Sequence, residues 1–236
     1  MSLGVHLRSW LYLFAFLGWT ICTAITCLPA LATRRSAIGA IRTWVRGVRL
    51  LARLICGVTF RSEGRENITP GPCIVAAQHQ SSFETYEMFL EFERPVFVLK
   101  RELIFIPVIG WYMRRAGLVH IDRGAGASAM RKMLREAQQA LDAGNQVIIF
   151  PEGTRVRPGA SVAYKPGIAA LYTHCDATVI PMALNSGYFW GKTRILKRPG
   201  EIVFRYLPAL PKGLERDEML AELRRRIESA DTELPR

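Results

Sequence analysis

A chain of 236 residues with 32 Lys plus Arg against 20 Asp plus Glu carries a net charge of +12, and half of its residues are apolar, which excludes intrinsic disorder. The length holds one globular domain beside a short extra segment, but not two large domains. Five scattered cysteines (Cys22, Cys27, Cys56, Cys73 and Cys175) never form a C-x-x-C pair, so neither a disulfide framework nor a structural zinc site is expected, and a reducing, cytosol-facing compartment is implied.

The charge is uneven. Residues 1–60 hold seven arginines and no acid, leaving +5 for the other 176 residues. Residues 10–32 form an uncharged, largely apolar run of 23 residues, long enough to cross a bilayer as a helix. A buried core helix would need protein on every side. A signal peptide is the competing reading, because Ala30-Leu31-Ala32 resembles a cleavage site. The run exceeds the ~7–15 residue core of such signals, however, and Arg34 and Arg35 follow at once. This arginine flank places the rest of the chain on the cytoplasmic side of an inner or cytoplasmic membrane. Gly18, Pro29 and the threonines equally allow a helix that bends back within one leaflet.

Residues 38–57 show helical periodicity, with Ile41, Val45, Val48, Ala52 and Ile55 on one stripe and Arg42, Arg46, Arg49 and Arg53 about 100° away. The stripe suits the headgroup boundary, with arginines reaching anionic phosphates; a helix packed on the domain with a solvated basic face fits the same pattern. Residues 1–60 are therefore expected to be a membrane-anchoring helical segment and residues 61–236 the domain proper.

Beyond Gly64 short apolar runs alternate with helical stretches. Strands are expected at 58–62, 73–78, 96–100, 118–121, 146–150, 177–184 and 202–206, and helices at 82–92, 107–116, 128–143, 167–175 and 217–230. This alternation predicts an α/β fold, a mixed, largely parallel sheet flanked by helices. The apolar stretch 103–113, followed by Arg114 and Arg115, suits either a core helix or a membrane-facing lip.

Ligands bind beyond the C-terminal ends of strands in such sheets, and unusual polar clusters stand there. After strand 73–78 comes H-Q-S-S-F-E (79–84). His79 and Glu84 would be ~140° apart on a regular helix, so they meet only across a turn, which Ser81 or Ser82 supplies as a helix N-cap. Glu84 would then hold one ring nitrogen of His79 and leave the other basic. G-L-V-H-I-D-R (117–123) and F-P-E-G-T-R (150–155) end two further strands and place Arg123 and Arg155 where forked donors grip a phosphate. Lys165, opening a helix beside its free N–H groups, is a further anion contact.

These blocks, followed by V-I-P-M-A-L-N (179–185), resemble in order and spacing the glycerolipid acyltransferase family, whose best-known members are 1-acyl-sn-glycerol-3-phosphate acyltransferases. The resemblance implies the glycerol-phosphate acyltransferase fold and transfer of an acyl group from acyl-CoA or acyl-carrier protein to the sn-2 hydroxyl of lysophosphatidate. It implies His79 as general base, Glu84 as its orienting carboxylate, and Arg123, Glu152, Gly153, Thr154 and Arg155 as binders of the acceptor's phosphate and glycerol. No metal or organic cofactor is required, and membrane lipids, the lysolipid and the acyl donor are the partners. In the family's usual motif an aspartate stands where Glu84 adds a methylene. The Gly153 turn is a candidate source of N–H donors for the oxyanion. Another lysolipid acceptor, or a non-catalytic membrane adaptor, is the alternative. Nucleic acid is disfavoured because most of the basicity flanks an apolar segment.

Overall fold

The computed structural model describes residues 3–106, 108–121, 126–191 and 195–236. Arg123 lies outside the described residues.

Seven strands, β1 (Val58–Glu63), β2 (Cys73–Ala77), β3 (Pro95–Lys100), β4 (Val119–Ile121), β5 (Gln146–Ile149), β6 (Thr178–Leu184) and β7 (Gly200–Tyr206), form one sheet in the order β1-β7-β6-β2-β5-β3-β4. Every neighbouring pair is parallel except β6–β7. The mixed, largely parallel sheet expected from the sequence is thus present. Central β2 is buried along its whole length, as a strand covered on both faces must be. Its side chains alternate between two cores: Cys73, Val75 and Ala77 face one, Ile74 and Ala76 the other.

Helices cover both faces. On the first lie α1 (Leu3–Thr26), α2 (Arg34–Leu51) and α3 (Phe83–Glu91). Short α4 (Ile109–Ala116) sits at the turn between α1 and α2. On the second lie α5 (Gly126–Asp142), α6 (Pro166–His174) and α8 (Arg216–Thr232), through Met133, Ala137, Ile168, Leu171, Met219, Leu223 and Ile227. The four-residue helix α7 (Ser186–Phe189), which periodicity is too short to reveal, follows β6.

The apolar run is not one straight element. α1 stops at Thr26, a 3-10 turn at Leu28–Ala32 carries Pro29, and Thr33 caps α2 with a reciprocal Ser36 bond. The two helices run antiparallel: Trp19 Nε1 donates to Trp44 O at 2.9 Å and Trp44 Nε1 to Thr20 Oγ1 at 3.0 Å. The hairpin lies along the domain. At one end Lys197 N–H donates to Ser9 Oγ at 3.0 Å and Tyr12 meets Trp190 edge-on at 5.4 Å. At the other Tyr112 Oη donates to Ala24 O at 3.4 Å, and Arg34 reaches Ala116 O and Asn145 Oδ1, each at 2.9 Å. Leu3, Leu7, Phe14, Ile21 and Ile25 of α1 form an exposed apolar stripe on the outer side.

The apolar stripe of residues 38–57 docks on the domain. Val45, Val48 and Ala52 enter the core instead of pointing outward. Arg42 donates to Phe89 O, Phe92 O and Glu93 O at 2.9, 2.9 and 2.7 Å. The last carbonyls of α3 have no intrahelical partner, and a guanidinium fork answers several at once, which is why this arginine turns inward. Arg49 pairs with buried Glu87 at 2.7 Å. Arg46 and Arg53 stay exposed.

Gly47 lies against Trp19 so closely that an added Cβ would overlap the indole ring. Gly47→Val should therefore destabilise the hairpin by about 1–3 kcal/mol. Thermal unfolding in detergent measures this, and a wild-type Tm would refute the tight packing.

Candidate active site

The order β6-β2-β5 brings the C-terminal ends of three strands side by side, and each end delivers polar residues to one place. From β2 comes the turn 78–82. His79 Nδ1 lies 2.9 Å from Glu84 Oε1. The same oxygen accepts the N–H groups of Gln80 and Ser81 at 2.7 and 2.6 Å. Ser81 Oγ accepts from Phe83 N–H at 3.0 Å and donates to Glu84 Oε2 at 2.6 Å. Ser81 thus makes the turn that the spacing of His79 and Glu84 demands, while Ser82 is the N-cap residue without a side-chain cap bond.

Glu84 is fully buried. Burial opposes its charge most strongly, but the hydrogen bond and charge of His79, with the hydroxyl and N–H of Ser81, prevail and hold its carboxyl below the usual range. A carboxylate only accepts, so the proton belongs on Nδ1 and Nε2 keeps its lone pair. His79 stacks on Phe150 at 4.2 Å and keeps 15% of its side chain exposed, leaving Nε2 without a hydrogen-bond partner among the described residues.

From β5 comes Phe150-Pro151-Glu152-Gly153, a β-turn closed by Gly153 N–H donating to Phe150 O at 3.0 Å. Proline at the second place and glycine at the fourth suit such a turn, and Gly153 adopts a φ of +66°. This N–H, a candidate oxyanion donor on sequence grounds, is engaged by the turn itself. The loop is tied down on either side, by Val156 N–H to His79 O at 2.7 Å and Lys165 N–H to Pro151 O at 2.8 Å. Thr154 and Lys165 are exposed and Arg155 is half-buried, and the side chains of Arg155 and Lys165 have no partner among the described residues.

Glu152 points inward. Its Oε1 accepts His79 N–H at 3.3 Å, and its Oε2 is buried without a hydrogen-bond partner among the described residues.

From β6 comes a segment that sequence reasoning missed. Ser186 Oγ donates to Glu84 Oε2 at 2.8 Å, Gly187 N–H donates to Gln80 Oε1 at 3.0 Å, and Trp190 Nε1 donates to Ser82 Oγ at 3.1 Å. The one signal was position, directly after V-I-P-M-A-L-N.

Burial, with the Glu84 charge adding to it, pushes the Glu152 carboxyl up from 4.5 to about 7, although its own N–H and that of His79 oppose the rise. The contribution of a raised carboxyl to stability is full below pH 4.5 and lost as the pH rises through about 7. Glu87, raised to about 7 chiefly by burial, acts in the same window. Glu152→Gln cannot ionise and should lose less Tm than the parent across that interval. Equal pH dependence of thermal unfolding in both proteins would refute the assignment.

The chain matches the family described as Acyltransferase over residues 59–185. It is 33% identical to the 1-acyl-sn-glycerol-3-phosphate acyltransferase of Pseudomonas aeruginosa over 201 residues, 85% of this chain and 78% of that one. It is 30% identical to the mouse 1-acyl-sn-glycerol-3-phosphate acyltransferase alpha over 209 residues, 86% and 73% of the two. The crystal structure of the 1-acyl-sn-glycerophosphate acyltransferase of Thermotoga maritima superposes with a TM-score of 0.77 over 96% of each chain at 23% identity, and shares the fold. With a family match spanning more than half of its length, and strand ends that converge on a paired histidine and carboxylate, the chain belongs to the acyltransferase family.

Proposed function

We propose that the enzyme transfers a fatty acyl group from acyl-CoA or acyl-carrier protein to the sn-2 hydroxyl of lysophosphatidate, forming phosphatidate. The observation that carries this reading is the 2.9 Å contact between His79 Nδ1 and buried Glu84, which leaves Nε2 as a base beside a basic loop. The similarity to 1-acyl-sn-glycerol-3-phosphate acyltransferases supports the acceptor.

In this mechanism the acceptor hydroxyl donates its proton to His79 Nε2 as its oxygen attacks the thioester carbonyl carbon. The imidazolium formed lies against the Glu84 carboxylate. The tetrahedral oxyanion then collapses, the C–S bond breaks, and the thiolate takes the proton from Nε2. General-base assistance of this kind contributes about 10²–10⁴-fold. Arg155, Lys165 and Thr154 grip the phosphate and glycerol from the surface of the loop. Arg123 is assigned to the same phosphate on the family resemblance. Glu152 and Gly153 act beneath them, one against the backbone of His79 and the other in closing the turn. Neither a metal nor an organic cofactor enters this scheme.

The protein works at a membrane in this reading, with the catalytic domain on the cytoplasmic side. α1 is long and apolar enough to cross a bilayer, and of its residues Ser9, Tyr12 and Thr23 are buried. Its attachment along the domain at both ends favours lying within one leaflet over spanning it. The exposed apolar residues Phe105, Ile109 and Trp111, beside Arg114 and Arg115, extend the apolar surface at the far end of the hairpin.

His79→Ala should lower acyl transfer to lysophosphatidate by about 10²–10⁴-fold. Labelled product from acyl-CoA and acyl-carrier protein over a lysolipid panel measures this; undiminished activity would overturn the base, and product with another lysolipid alone would move the acceptor. Replacing Phe14 and Ile21 by Asp should release the protein from phosphatidylglycerol vesicles in flotation, and unchanged binding would overturn the role of the α1 stripe.

A further inference from the structure

Glu84 stands where the family's usual aspartate is one methylene shorter, and the added bond gives the carboxylate one more rotation to lose. Oε1 is held entirely from within its own turn, by His79, Gln80 and Ser81. Oε2 receives two hydroxyls, Ser81 at 2.6 Å and Ser186 at 2.8 Å. Among the described residues Ser186 is the one donor to Glu84 from outside the stretch 79–84.

We propose that Ser186 is a positioning residue of the acyl-transfer site, whose hydroxyl anchors the far oxygen of Glu84 and so keeps the near oxygen on His79. This rests on the acyl-transfer reading given above. The hydroxyl is itself fixed. Ser186 is fully buried, and the neighbouring Asn185 accepts Val203 N–H at 2.7 Å and donates to Glu201 O and Pro235 O at 3.1 and 2.8 Å. Gly187 lets the segment approach, because an added Cβ would lie 2.7 Å from Pro158 Cγ and 3.0 Å from Gln80 Cβ. Trp190 completes the clamp through Ser82. Three residues of one segment thus hold three residues of the catalytic turn.

The charged groups around Glu84 are His79 beside it and Glu152 beyond β5, which feels its charge. Asp231 of α8 joins the turn through Gln80 at 3.4 Å, and Glu87, one turn on in α3, is directed to Arg49 of α2. α7 brings no charged side chain. Losing a donor to a carboxylate raises the proton affinity of the carboxylate and of its histidine partner, so the acid limb of activity moves to higher pH.

The test is the pH profile of kcat/KM for Ser186→Ala and Ser186→Thr in detergent-solubilised enzyme. Nitrogen-15 NMR titration of His79 runs alongside, because it reads the pair without turnover. Ser186→Ala should lower kcat about 10- to 100-fold with KM for lysophosphatidate little changed. It should also move the acid limb and the His79 midpoint upward, and Ser186→Thr, which keeps the hydroxyl, should restore all three. Wild-type kcat and an unmoved limb in folded Ser186→Ala overturn the proposal, as does lost kcat with an unmoved limb and midpoint, which marks a merely structural role. If Ser186→Ala does not fold, Ser186→Cys, of similar size but a weak donor, carries the same comparison. A wild-type protein that fails to acylate lysophosphatidate, while the His79 midpoint still moves in Ser186→Ala, overturns the acyl-transfer reading and leaves the positioning role standing.

Discussion

A carboxylate with no exposure to water keeps its charge only where donors surround it, and Glu84 is such a group. Five donors converge on its two oxygens: the ring of His79, the N–H groups of Gln80 and Ser81, and the hydroxyls of Ser81 and Ser186. That requirement shapes the surroundings. The chain must turn sharply after β2, a helix must begin at Phe83 so that Glu84 falls in its first turn, and the end of β6 must lie beside the end of β2. The position near a helix N-terminus adds favourable backbone dipoles to the same charge.

Sheet order meets the last condition. β6 and β5 flank β2, so Ser186, His79 and Glu152 leave neighbouring strands at the same edge. The Glu152 turn lies against the backbone of His79, and the His79 ring stacks on Phe150. Each wall of the site therefore supports another. Thr154 and Lys165 are exposed on the outer side of that loop and Arg155 is half-buried there.

The N-terminal hairpin is joined to this centre through packed side chains. Arg42 of α2 caps α3, the helix that follows the His79 turn, and Tyr12 of α1 packs on Trp190, which bonds Ser82. Lys197 lies 4.6 Å from the Trp190 ring and adds to the same contact. The apolar stripe of α1 and the open nitrogen of His79 are thereby joined through one continuous set of packed side chains.

Much of this was legible in the residues. The strands at 73–78, 146–150 and 177–184 announce themselves as short apolar runs, since a strand covered on both faces has no polar side to show. The separation of His79 and Glu84 required a turn, and Ser81 between them supplied its chemistry. Pro151 and Gly153 encode the turn that carries Glu152. Other features had no local signature. The arginines at 42, 46, 49 and 53 read alike in sequence, yet Arg42 and Arg49 are drawn to α3, which offers orphan carbonyls and a buried carboxylate, whereas Arg46 and Arg53 have no such partner among the described residues. Glu152 reads as a ligand-facing acid and is instead buried, because the turn aims it at the backbone of His79. The residues alone determined the fold class, the paired histidine and carboxylate and the long apolar N-terminal helix, because each depends on periodicity or on a few bonds of chain. Only the tertiary structure decided that Ser186 completes the Glu84 site and that α1 lies along the domain, because both are contacts between segments about a hundred or more residues apart, and nothing in local patterning records such a meeting.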